Sequence, residues 1–297
     1  MSVSISKIIY ELNNKNFKKA LNLCEKYSEN NDLHILNNLK GIISINLKDH
    51  RKAIEYFKKS LNYKEDYLEA YSNLATAYFS IKNFSKSIDT VIKALNYEPK
   101  NKNLHFNLAF FFSENHQYQK AIKQYHQAMK FGYNKEIVLN NIGNIYIKEK
   151  NYLKAKENFL ECLKISSTNY LTINNLIRTL ILKKDFIEAE KYQKKSDKLE
   201  TKNNIYFINK AELLFFSKKY EEAKSILNEF CKKNKYDIGA NISLSLIYSN
   251  LGKFENSYKL IEDIYKLNPN NNTLNLIQSM NLLVMEVQQL IHYQSHL

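Results

Sequence analysis

The chain has 297 residues, 44% hydrophobic and 25% charged, with only 5 Gly and 2 Pro, a balance that suits a folded, water-facing chain and leaves little for long linkers. Its net charge of +14 raises nucleic acid as a partner, yet the charge accompanies abundant Asn, Ile, Tyr and Phe and scarce Ala, Gly, Pro and Trp, the joint bias of AT-rich coding, so nucleic acid is not the expected partner. The three cysteines, Cys24, Cys162 and Cys231, have no metal or disulfide spacing and read as small buried hydrophobes in a reducing compartment; with no apolar run of about 20 residues and no signal-peptide core, the expected location is the cytoplasm, without a membrane span.

In chain order, Met1 to Leu33 holds a first helix pair: a short helix at Ile5 to Leu12, prefaced by Ser2, Ser4 and Ser6, a turn near Asn13 to Asn16, and a second helix from Phe17 to about Ser28. His34 to Asp66 and Tyr67 to Lys100 follow, the latter ending at Pro99. Asn101 to Asn134 carries Phe106, Phe110, Phe111 and Phe112, too many rings for one buried stripe, so some ring surface should face a groove. Lys135 to Asn169 is the clearest unit: Leu139, Ile142, Ile145 and Tyr146 recur at helical spacing, and after a polar turn Ala155, Phe159, Cys162 and Leu163 form a second stripe. Tyr170 to Asn203, Asn204 to Tyr236 and Asp237 to Asn270 complete the series. Thr273 to about Tyr293 predicts one more helix, with Ile277, Met280, Val284, Val287 and Ile291 on one face and Leu276, Leu283 and Leu290 as a second apolar edge.

These pairs are in phase. Ala20, Ala53, Ser87, Ala121, Ala155, Ala189, Ala223 and Ser257 recur about every 34 residues, always small. Three residues before each stands a ring: Phe17, His50, Phe84, Tyr118, Tyr152, Phe186, Tyr220 and Phe254. Twelve residues before lie Gly41, Ala75, Ala109, Gly143, Ala211 and Ser245, small enough for two helices to approach, with Ile8 and Ile177 as misfits. Pro99 and Pro269 share one phase, where a helix must stop.

This pattern resembles the tetratricopeptide repeat, most closely in Asn73-Leu74-Ala75-x-x-Tyr78 with Phe84, Ser87, Ala94 and Pro99. Tyr27, Ser196, Phe230 and Ile264 depart from it, standing where that family usually keeps a second small residue. The resemblance implies an all-α fold, a right-handed α-α superhelix of about eight helix-turn-helix repeats over residues 1–271, with residues 272–297 as a C-terminal capping helix able to face a partner. One such pair cannot bury its apolar face alone, but a stack can.

No catalytic or cofactor chemistry is expected. The five glycines are dispersed, no G-x-S-x-G elbow occurs, the His292 and His296 pair at i, i+4 has no third ligand nearby, and His105, His116 and His126 in one repeat carry no stronger metal signal. What stands out is a column of amides. Asn73, Asn107, Asn141, Asn175 and Asn209 lie fourteen residues before five successive markers, mid-helix, where Asn costs a few tenths of a kcal/mol or more against Ala. The resemblance puts this phase on a concave wall, where an amide can donate to and accept from the backbone of an extended peptide; similar ladders occur in the superhelical part of the O-linked N-acetylglucosamine transferases. Asn144, Lys148 and Arg178 share that face, with Phe110 at one end and Leu182 and Phe216 at the other, a groove polar in its middle and apolar at its ends. The candidate binding residues are therefore Asn73, Asn107, Asn141, Asn144, Lys148, Asn175, Arg178 and Asn209, in a non-enzymatic scaffold for a protein or peptide partner. Two alternatives stand beside it: a substrate-presenting or oligomerising arm of a larger enzyme such as a glycosyltransferase or sulfotransferase, acting through the last helix, and an RNA-associated helical repeat.

Overall fold

The computed structural model describes residues 3–27 and 32–267; Pro269 and the expected last helix, with Leu276, Leu283, Leu290, His292 and His296, lie outside them. Sixteen α-helices make up the described residues. The first eight are α1 (Ile5–Asn13), α2 (Phe17–Glu25), α3 (Leu33–Asn46), α4 (His50–Tyr63), α5 (Leu68–Ser80), α6 (Phe84–Tyr97), α7 (Lys102–Glu114) and α8 (Tyr118–Lys130). The remainder are α9 (Lys135–Lys148), α10 (Tyr152–Ile165), α11 (Tyr170–Leu182), α12 (Phe186–Asp197), α13 (Asn204–Phe216), α14 (Tyr220–Lys233), α15 (Ile238–Asn250) and α16 (Phe254–Leu267). The chain divides into two compact units, Met1–Ile145 and Tyr146–Leu297, the division falling within α9.

Odd-numbered helices are the first of each pair, called A here, and even-numbered ones the second, B. Every B helix begins on the ring position, from Phe17 in α2 to Phe254 in α16. The markers one turn further on are all fully buried, and Ile8 and Ile177, the two large residues at the close-approach phase, are buried as well. Gly41 shows why small residues stand there: a Cβ would lie 2.4 Å from the ring of Phe57, itself buried. Tyr27 and Ile264 occupy the second small-residue phase and are buried, while Phe230 stacks on Phe207 with centroids 4.8 Å apart, so this phase accepts larger groups where the neighbouring helix gives room.

Within the first unit α1 packs on α2, α3 on α4, α5 on α6 and α7 on α8, and each B helix packs on the next A helix. The second unit repeats this from α10 to α16. Consecutive A helices also touch, α3 with α5 and α5 with α7 in the first unit, α11 with α13 and α13 with α15 in the second; consecutive B helices make no comparable contact. Each stack therefore curves with its A helices on the inside, an α-solenoid built by repetition of one local unit.

The turn inside each pair has one geometry. Lys15, Lys48, Lys82, His116, Lys150, Lys184 and Lys218 have φ between 57° and 63°, and Gly252 takes the same place at 71°. In each, the following residue's N–H reaches back to a carbonyl five residues earlier, as Asp49 to Ser44 at 2.9 Å, while the left-handed residue's own N–H bonds three back, as Lys48 to Ile45 at 2.9 Å. This paired closure satisfies the last carbonyls of the A helix. The next helix is then capped by side chains: Asp49, Asn83 and Asn151 accept from the N–H groups of Lys52, Lys86 and Lys154.

The four phenylalanines of α7 divide as their number requires. Phe111 and Phe112 are buried, Phe106 stacks on Tyr133 at 4.2 Å, and Phe110 is the exposed one. Cys24 and Cys162 are buried and Cys231 is half-buried, all three outside any disulfide, with Cys162 Sγ 3.2 Å from Thr172 Oγ1; burial pushes Cys24 and Cys231 up to about 11, away from thiolate chemistry at neutral pH. His105 has both ring nitrogens engaged, with Gln124 Oε1 at 2.7 Å and the Pro99 carbonyl at 2.9 Å, which makes it a tie between α7, α8 and the preceding turn.

Candidate functional site: the inner wall of the A helices

On an A helix, residues fourteen, eleven and seven before the marker fall at i, i+3 and i+7 and share one face. In the first unit these are Ser6, Ile9 and Asn13 on α1, Leu39, Ile42 and Asn46 on α3, Asn73, Thr76 and Ser80 on α5, then Asn107, Phe110 and Glu114 on α7, then Asn141 and Asn144 on α9. In the second they are Asn175, Arg178 and Leu182 on α11, Asn209, Glu212 and Phe216 on α13, and Ser243, Leu246 and Asn250 on α15. Lys148 is exposed at the last residue of α9.

The amides at the first of these phases are not equivalent. Asn73 Nδ2 donates to Asn38 Oδ1 at 2.9 Å, which ties α5 to α3. Asn209 is the correction to the expected column: it is fully buried, and its Nδ2 donates to the Asn174 carbonyl at 2.9 Å, so it pins α13 to α11 and offers nothing to solvent. The reason is register, because this phase looks along the stack to the residue one step earlier on the preceding A helix, and where that helix sits close the amide is consumed there. Asn141 is half-exposed and its Nδ2 bonds the Ile137 carbonyl of its own helix at 2.8 Å, leaving Oδ1 on the wall. Asn175 is half-exposed on α11. Asn107 and Asn144 are half-exposed too, and their amides make no hydrogen bond among the described residues.

Charge on the wall is local. Arg178 Nη1 pairs with Glu212 one repeat on, joining α11 to α13. In the second unit Phe216 and Leu246, each 49% exposed, stand beside half-buried Leu182, and with Arg178 and Glu212 they border an open cavity of about 480 Å³. In the first unit Phe110 leans on Phe79 at 5.1 Å. Sequence reading missed Leu246, and also the lysines of the left-handed turns, exposed cations one repeat apart within each unit (Lys15, Lys48 and Lys82; Lys150, Lys184 and Lys218) whose signal, a constant place five residues before the marker, was present in the chain. Lys58, Lys59, Lys123, Lys164, Lys194 and Lys195 are exposed on B helices, away from this wall.

The tetratricopeptide repeat family model matches residues 36–67, 68–101, 138–169 and 238–271, and a second model of the same description matches 92–123, together just over half of the chain. The chain belongs to the tetratricopeptide repeat family. Among solved structures, it resembles a tetratricopeptide repeat protein from Parabacteroides merdae at a TM-score of 0.72 and 15% identity, covering 84% of this chain and 98% of that one. The apo form of the quorum sensor NprR from B. thuringiensis matches at 0.64 and 21%, covering 86% of this chain and 81% of that one. Yeast Tom70 matches at 0.67 and 18%, over 96% of this chain and 61% of that one. At these identities the likeness is one of fold. None of the curated proteins compared matches the sequence.

Proposed function

We propose that the A-helix wall of this tetratricopeptide repeat protein binds an extended segment of a partner protein, and that the chain acts as a scaffold without catalytic chemistry of its own. The observation that supports this most is the pair Asn107 and Asn144, half-exposed amides without a hydrogen-bond partner among the described residues, on the same wall as the Asn141 oxygen. A primary amide presents two donors and two acceptor lone pairs, which suits the repeating N–H and C=O groups of a peptide backbone whatever its side chains. Members of the family are generally protein-interaction scaffolds, which agrees with this reading. No described helix is long and apolar enough to cross a membrane.

The test is capture from a lysate by the wild-type chain and by Asn107→Ala/Asn141→Ala/Asn175→Ala, with and without nuclease. The proposal expects a protein partner that survives nuclease and is lost with the triple variant. Loss on nuclease treatment, with the triple variant still binding, would replace it by an RNA-associated role carried by the lysine rows.

A further inference from the structure

Resting on that wall-binding reading, we propose that the second unit holds its anchor subsite: the cavity between α11, α13 and α15 takes a large aliphatic or aromatic side chain of the partner segment, with an acidic residue of that segment beside it.

The lining of the cavity is mainly apolar. Ile181, Leu182, Phe215, Phe216, Leu246 and Ile247 supply its surface, and about 480 Å³ lies within the range of sites that seat one compact ligand group. Its shape is preformed. Phe216 stacks on Phe186 with centroids 4.5 Å apart and meets Phe215 edge-on at 5.7 Å, so the exposed ring cannot fold away from water without breaking these contacts. Leaving such a ring and Leu246 half in water is unfavourable, and an incoming apolar side chain removes that surface from water.

The rim decides what accompanies the anchor. Glu212 is paired with Arg178, and Lys184, exposed in its left-handed turn, borders the same cavity, so the three charges sum to one positive. Arg178 keeps further guanidinium N–H donors beyond the Nη1 that meets Glu212, and these can take a carboxylate or a backbone carbonyl. Ser243 and Asn250 complete the polar edge. An extended strand turns alternate side chains to the same side, so an apolar residue and an acid two positions away can reach the cavity and Lys184 together. A second copy of the chain fits less well, since a stable dimer needs about 800 Å² of surface per partner and this feature is a concave pocket with a cationic rim.

The test pans the full chain against a displayed library of random decapeptides and measures the selected peptides by fluorescence polarisation. The inference expects selected sequences with Leu, Ile, Met or Phe two positions from Asp or Glu. Phe216→Ser/Leu246→Ser should weaken them at least about tenfold, and Lys184→Glu about three- to tenfold at low salt, less as salt screens the charge. Leu246→Asp alone, at a position half open to water, serves if the double variant does not fold. Selection of basic or purely polar peptides, selection of none, or peptides indifferent to Phe216 and Leu246 would each overturn the inference. The wider wall reading is decided separately by the Asn107/Asn141/Asn175 variant, so the two can fail independently.

Discussion

The inner walls of the two units share a backbone and differ in chemistry. At matching phases α5, α7 and α9 present Asn73, Thr76, Ser80, Asn107, Asn141 and Asn144, with Phe110 as the large apolar group of those three helices, whereas α11, α13 and α15 present Leu182, Phe216 and Leu246 around the Arg178–Glu212 pair, with Asn175, Ser243 and Asn250 beside them. The buried phases show no such divergence: Ala20, Ala53, Ser87 and Ala121 in one unit and Ala155, Ala189, Ala223 and Ser257 in the other are all fully enclosed. The marker positions are held to one size by packing, while positions on the wall are free to vary, and there the two units present different surface chemistry.

The strongest way to break this comparison is to overfill a shared phase. Ala121→Leu in the first unit and Ala155→Leu in the second should each cost about 1 to 3 kcal/mol, because both sites are sealed. A thermal melt that moves for one and not for the other would show that the units are not built alike.

A wall substitution should do the reverse, changing binding and sparing the fold. Asn107→Ala with Asn144→Ala removes two amides that no described neighbour uses and installs the better helix former, so stability should hold or rise by a few tenths of a kcal/mol per site. Partner affinity should fall, each lost hydrogen bond being worth about 0.5 to 1.5 kcal/mol. Asn209→Ala is the contrast within the same phase: its amide is buried between α11 and α13, so it should lower the melting temperature instead.

The turns sharpen the point from the side of the backbone. Lys82→Gly in the first unit and Lys218→Gly in the second relieve the same left-handed strain, at φ of 60° in each, and should each raise stability by up to about 1 kcal/mol in a denaturant melt.

The smallest effect is expected from acid, and in the second unit. Burial alone would raise the Asp197 carboxyl, but hydrogen bonds from Tyr206, Gln193 and Lys210 outweigh it and hold the group below the usual carboxylate range. A depressed carboxyl contributes stability above its unfolded value and loses it as pH falls through the folded one. Asp197→Asn should therefore melt below wild type near neutral pH, with the gap closing in acid.

Most of the fold was legible because it repeats. One small residue and one ring per pair, seen eight times, placed every B helix start, and Gly41 against Phe57 shows the steric reason. The wall was half legible. Helical spacing put Asn107, Asn141, Asn144, Arg178 and Phe216 on one face, but how closely consecutive A helices approach is not written in any single repeat, so the burial of Asn209 and the anchoring of Asn73 on Asn38 could not be read there. Leu246 stands eleven residues before Ser257, the phase of Asn144 and Arg178, so spacing marked it for the wall; what spacing does not show is that Phe216 and Leu182 stand with it around one cavity.

The most direct test of the wall as the binding surface compares two triple variants on one captured partner. Asn107→Ala/Asn141→Ala/Asn175→Ala alters the inner wall, and Lys58→Ala/Lys123→Ala/Lys194→Ala alters exposed positions on B helices. Measured by titration calorimetry at one salt concentration, the first should weaken binding about tenfold or more and the second should leave it nearly unchanged. Equal binding by the amide variant, or a larger loss from the lysine variant, would contradict the account and move the partner to the basic outer face.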